Sequence, residues 1–249
     1  MVLTDDALFR LTLSTYVGGI LGAGYTTLLA PSGLIKRGIL GVPGTSFSLI
    51  LSRSLGFKTY DTLMLINFYT NRQVRIVLTI MQMGWDPVEA AGMLAPTVEE
   101  RPTRMLLQAG LGDATVPAMA GEALARAYNA STLPNNPRKV FGLSEAQPAN
   151  SSWPGPRVTF TELLYEKEYL RLPFGNQYSE DNNVHTCLRQ DCHLIRQIAE
   201  FIDTGRIIDP CSKDRCVRKS IPCYLGWKKQ NTKASNWTCS HYSKPFSTS

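Results

Sequence analysis

Hydrophobic and polar residues follow two different periods along this chain, and both strands and helices are predicted from them. Short apolar runs that end at glycine or proline turns predict buried strands at residues 37–42 and 105–109, and a last sheet strand is expected at 139–143. Helical spacing predicts amphipathic helices at 118–128 and from Cys192 to Thr204-Gly205. The alternation predicts an α/β fold with a parallel sheet and flanking helices.

Two long stretches separate these elements. Residues 45–103 have helical character, with a broad apolar face over 75–85 and a helix start expected at Asp86-Pro87. Residues 144–182 are rich in Pro, Ser, Asn and Gly, which predicts a long insertion without regular structure.

One carboxylate follows the 105–109 run directly. The chain reads Gly110-Leu111-Gly112-Asp113, and Pro117 stands where a helix could start. Residues just past the carboxyl ends of parallel strands line the functional crevice, so Asp113 is a candidate for orienting a catalytic histidine. The alternative is that Asp113 only caps the next helix.

Three histidines are present, and His185 is the candidate partner. It lies in a polar loop before a helical pattern, whereas His193 and His241 lie further on. Acid first and histidine second is the order of the α/β-hydrolases.

Three motifs carry a resemblance to a known family. Along the chain they are Gly18-Gly19-Ile20-Leu21-Gly22, residues 106–116 with the acid, and residues 183–187 with the histidine. Over about residues 16–211, the chain resembles the C-terminal half of a family of large secreted serine hydrolases with the α/β-hydrolase fold. The resemblance implies a partial hydrolase domain at 1–211 with a cap-like insertion at 45–103, Asp113 as triad acid and His185 as triad base. It also implies a small-molecule ester or peptide substrate, no cofactor and no metal ion.

The nucleophile position departs from the family pattern. Tyr16 stands where the family has its serine, and Ser14 stands where it has the glycine before that serine. Val17 is the candidate donor of one oxyanion-hole N–H. The strands that precede the nucleophile in a complete hydrolase are not expected in so short a stretch, so we expect a truncated and inactive relative.

Charge is concentrated near the end of the chain. The formal net charge is +6, but residues 205–249 hold nine Lys and Arg against two Asp, and the rest is nearly neutral. We therefore expect no nucleic-acid partner. Residues 212–249 are expected to form a basic, cysteine-containing tail, either a small disulfide-linked appendage or unrelated coding sequence.

All six cysteines follow residue 186, and three glycosylation motifs begin at Asn129, Asn150 and Asn236. An even, clustered cysteine count favours disulfides and a secreted or secretory protein, although the start of the chain has the wrong charge for a signal peptide. The resemblance implies a disulfide between Cys187 and Cys211. A zinc site is the alternative use of these cysteines.

Other functions remain open at this point. Residues 11–30 are uncharged and long enough to span a membrane, although their glycines and hydroxyls favour a strand, a turn and a helix. A secreted binding protein without catalysis is a further alternative, as is self-association through an unpaired sheet edge. Met81, Met83 and Trp85 are expected either to line an apolar pocket or to pack in the core.

Overall fold

A parallel β-sheet organises the computed structural model, which describes residues 37–93, 103–169, 180–211 and 216–218. The described strands are β1 (Arg37–Gly41), β2 (Arg104–Leu111), β3 (Ser131–Thr132), β4 (Ser144–Glu145), β5 (Val158–Tyr165) and β6 (Val217–Arg218). Their order is β1-β2-β5-β3-β4, β6 also pairs with β5, and every pair is parallel. The predicted α/β class is confirmed.

Strand β2 lies inside the sheet because its sequence is apolar on both faces, as buried parallel strands require. Its residues from Met105 onward are buried, and Ile39 of β1 is aligned with Leu106 of β2. The strands predicted at 37–42 and 105–109 are therefore both present, and they are parallel neighbours in the sheet.

Helices cover both faces of the sheet. They are α1 (Phe47–Leu51), α2 (Lys58–Phe68), α3 (Asn71–Trp85), α4 (Ala118–Ala127), α5 (Glu166–Tyr169), α6 (Val184–Leu188) and α7 (Cys192–Thr204), with 3₁₀ turns at Leu55–Phe57 and Asp86–Val88. The helices predicted at 118–128 and 192–204 correspond to α4 and α7, and Gly205 ends α7 in the left-handed conformation, with φ +74°.

Two apolar cores result from the alternation of β2 side chains. Leu107 and Ala109 pack with Leu124 of α4 on one face. Leu106 packs with Phe201 of α7 on the other. A third group around Leu163 packs against α6, which holds this short helix on the sheet.

The last part of the sheet differs from the prediction. Residues 139–143 form no strand; instead the central strand β5 lies within the 144–182 stretch that was expected to be an insertion. Prolines flank β5, and Thr159, Thr161 and Glu162 interrupt its apolar character although all three are buried. The composition of the surrounding sequence hid a strand that carries buried polar residues.

The helical character of the 45–93 region is confirmed. Ile50, Val74 and Leu78 are buried, but several other large apolar side chains of this region are exposed. Met81 and Met83 are 43% and 72% exposed, so the core-packing alternative is wrong for them. Trp85 makes an edge-on contact with Phe47, with ring centroids 5.8 Å apart. Only a three-residue 3₁₀ turn begins at Asp86, where a helix start was expected.

Within the residues that the structure describes, no helix is long and apolar enough to cross a membrane. Residues 11–30, the candidate span, lie outside those residues.

Candidate functional site

The loop after β2 presents the carboxylate of Asp113. Gly112 turns the chain with φ +94°, and Asp113 then becomes buried. Its Oδ1 accepts hydrogen bonds from the backbone N–H groups of Thr115, at 2.7 Å, and Val116, at 3.0 Å. Because the residue that caps α4 is Pro117, Asp113 is not the helix cap of the alternative interpretation.

The histidine comes from the short helix α6. His185 is its second residue, and Asn183 enters the helix in the left-handed conformation, with φ +62°. The Asn182 side-chain amide donates to the Gly112 carbonyl at 2.6 Å. This bond joins the histidine loop to the loop that carries the acid.

A glycine in β2 allows α6 to lie against the sheet. A Cβ added at Gly110 would stand 3.0 Å from Val184 Cγ1 and 3.1 Å from Leu188 Cδ1, closer than side chains normally approach. Both neighbours are buried residues of α6. Gly110 therefore sets the height of the histidine helix above the strand.

Asp113 and His185 form the hydrogen bond predicted for them. Asp113 Oδ2 lies 2.8 Å from His185 Nδ1, and the two side chains are 0% and 16% exposed. The other ring nitrogen, Nε2, meets the Arg189 guanidinium. Since a guanidinium can only donate, Nε2 is the acceptor and Nδ1 carries the proton that is donated to Asp113.

This arrangement has the chemistry of a general base whose orientation is fixed. An imidazole with its proton on Nδ1 and a lone pair on Nε2 can take a proton from a hydroxyl, and the carboxylate holds it in that tautomer. Arg189 occupies the lone pair that a nucleophile would need. Tyr16, Val17 and the Gly-Gly-Ile-Leu-Gly motif lie outside the described residues.

The disulfide pattern corrects the expectation taken from the resemblance. Cys211 is bonded to Cys216, five residues away, so the pairing of Cys187 with Cys211 is wrong. Cys187 and Cys192 each take part in a disulfide as well. Spacing alone could not choose this connection, because the C-terminal cysteines allow several pairings.

The disulfide between Cys211 and Cys216 also bears on metal binding. Asp209, Cys211 and Cys216 bring potential ligand atoms within 4.8 Å of one another, the one such group among the described residues. The two sulfurs are bonded to each other, so neither is a thiolate able to coordinate zinc in this form.

Two of the three glycosylation motifs fall in described parts of the chain. Asn129 and Asn150 are both exposed. The Asn150 Oδ1 already accepts N–H bonds from Ser152 and Trp153, both at 2.9 Å. Asn236 lies outside the described residues.

A buried carboxylate that sequence reasoning missed is Glu162 on β5. Its Oε2 lies 3.5 Å from Arg138 Nε and accepts from Asn136 Nδ2 at 3.4 Å, and its Oε1 has no hydrogen-bond partner. Burial raises the pKa of Glu162 to about 7, although the charge of Arg138 lowers it. In the sequence, the polar residues that alternate with apolar ones in β5 were the only sign of this buried carboxylate.

The raised pKa of Glu162 makes the stability of the folded state depend on pH. Between pH 4.5 and about 7, the folded protein keeps a proton on this group that the unfolded chain has released. The folded state is therefore favoured at the acidic end of that window, and the contribution is lost as pH rises through 7.

Comparison with known proteins adds nothing to this geometry, since no family model, curated protein or solved structure matches the chain.

Proposed function

We propose that this chain is an α/β-hydrolase-type module, related to secreted serine hydrolases that act on ester or peptide bonds, which does not turn over such substrates itself. The observation that carries the proposal is the 2.8 Å hydrogen bond between Asp113 and His185 beyond the carboxyl end of a parallel strand. That is the position and order of the acid and base in this class of enzyme.

The missing step is the nucleophilic attack. In a complete triad a serine attacks the carbonyl carbon, the histidine takes the serine proton and returns it to the leaving group, and the aspartate holds the imidazole. This chain has Tyr16 at the serine position. A phenol there does not reproduce the reach of a serine hydroxyl, and loss of the nucleophile removes most triad-dependent rate.

A secretory location is part of the proposal. The disulfide between Cys211 and Cys216 and the exposure of Asn129 and Asn150 support a protein that matures in an oxidising compartment. The exposed asparagines are where sugars would be attached.

Hydrolysis of p-nitrophenyl acetate and butyrate tests the proposal directly. The full chain is expected to show the same rate as its His185→Ala variant, and neither is expected to react with a fluorophosphonate probe that labels active serine hydrolases. Ester turnover that disappears in His185→Ala would show that the chain is an enzyme and the proposal is wrong.

A second experiment asks whether the acid and base are competent. Ser14→Gly combined with Tyr16→Ser recreates the nucleophile motif of the family. Fluorophosphonate labelling of this double variant is expected to depend on His185, with Tyr16→Phe as the control that changes the same residue without adding a nucleophile.

A further inference from the structure

Arg189 is a cation without an anionic partner beside the proposed base. It follows α6 as its C-terminal cap and is exposed. Its guanidinium donates to His185 Nε2, and no carboxylate in the described part of the chain forms an ion pair with it. Arg189 therefore has a neutral ring nitrogen, not a carboxylate, as its direct partner among the described residues.

The carboxylate that holds His185 has its oxygens already in use. Asp113 Oδ1 accepts two backbone N–H groups, its Oδ2 accepts the His185 Nδ1 proton, and its side chain is fully buried. Asp113 fixes the ring and leaves Arg189 to an anion from outside.

A neutral imidazole is also a poor final partner for a guanidinium. The imidazole accepts a hydrogen bond from only one of the five N–H groups of the guanidinium. A carboxylate accepts two parallel N–H bonds and carries the opposite charge. Charge-assisted bonds of that kind are about twice as strong as neutral ones. An organic anion that reaches Arg189 would displace His185 from it.

We propose that Arg189 and His185 together form a binding site for the carboxylate group of an organic acid. The guanidinium holds both carboxylate oxygens, and His185 Nε2 is released from Arg189 when the acid binds. The choice of ligand rests on the proposed function, because a carboxylic acid is what ester or peptide hydrolysis leaves at such a site. Binding requires no nucleophile, so it does not depend on turnover.

Titration with sodium butyrate, followed by the ¹⁵N resonance of His185 Nε2 at constant ionic strength, tests this proposal in the full chain. A saturable shift is expected with a dissociation constant on the order of millimolar. Butyramide, which has the size of butyrate without its charge, is expected to produce no shift. Inorganic phosphate is expected to bind more weakly than butyrate.

Three variants complete the experiment. Arg189→Gln is expected to weaken butyrate binding about tenfold or more, as loss of a charged hydrogen-bond donor does. Arg189→Lys keeps the positive charge but cannot donate two parallel N–H bonds. Its affinity for butyrate should lie between those of the unmodified chain and Arg189→Gln. Arg72→Gln removes another exposed guanidinium, on α3, and should bind as the unmodified chain does.

The outcomes separate this proposal from the previous one. No saturable shift, equal binding by Arg189→Gln, or equal affinity for butyramide or phosphate would overturn the carboxylate site. The Nδ1 proton resonance of His185 reports whether Arg189→Gln keeps the bond to Asp113. Ester turnover that requires His185 would instead contradict the proposed lack of activity and leave the binding result standing.

Discussion

The close approach of α6 to β2 predicts a large effect for Gly110→Ala. The new methyl group would meet Val184 Cγ1 at 3.0 Å and Leu188 Cδ1 at 3.1 Å, and ordinary contacts at such a carbon begin near 3.4 Å. Both neighbours are buried, so their side chains have little room to give the few tenths of an ångström that the new methyl group requires. Overpacking of this kind costs about 1–3 kcal/mol.

Urea unfolding measures that cost, and Gly41→Ala is its matched control. Gly41 also belongs to a strand, but a Cβ there meets nothing within 4 Å. That control is expected to be neutral or to stabilise by about 0.4–1 kcal/mol, because alanine restricts the unfolded chain. The free energies of unfolding of the two variants should differ by about 2 kcal/mol, and His185 should show a weakened Nδ1 proton signal only in Gly110→Ala.

Val184→Ala identifies the contact responsible. If the steric argument holds, Gly110→Ala and Val184→Ala together cost less than the sum of the separate effects, by roughly 0.5–3 kcal/mol for residues in contact. Strict additivity, or equal unfolding midpoints for Gly110→Ala and Gly41→Ala, would refute the idea that Gly110 positions the histidine helix.

Three further results are expected from the described contacts. Glu162→Gln should flatten the pH dependence of stability between pH 5 and 7, where the unmodified protein loses about 2 kcal/mol as pH rises; an equal pH dependence of the free energy of unfolding in the two proteins would contradict this. Non-reducing peptide mapping should link Cys211 to Cys216, and replacing both with serine should cost about 2 kcal/mol for so short a loop; a different partner in the map would exclude the pair. Asn182→Ala should lower the unfolding free energy by about 1 kcal/mol and broaden the His185 Nδ1 proton signal, because the Gly112 carbonyl loses its donor; unchanged spectra would show that the loops are held otherwise.

The sequence predicted the parts of the fold where local pattern and tertiary role agree. Strand β2 is a short apolar run that ends at a glycine turn, so both the strand and Asp113 could be placed. Strand β5 could not, because Glu162 resembles a surface residue until Arg138 and Asn136 are brought to it by the fold.

The candidate site shows the same division. The order of Asp113 and His185 could be read along the chain, but the role of Arg189 depends on α6, a helix of five residues that no periodicity reveals. Once that helix is known, the spacing of four residues between His185 and Arg189 places both side chains on one face. The partner of Cys211 could not be predicted from the sequence for a different reason, because disulfide connectivity is a property of the folded chain.

The seating of α6 on Gly110 also bears on how such a protein can evolve. The contacts that hold Asp113 and His185 together run from Gly110 on β2 and the loop that follows it to Asn182 and the helix α6. The Asp113–His185 pair is thus held by contacts local to these two segments. None of these contacts involves residue 16, so under the proposed function the pair could serve recognition without turnover.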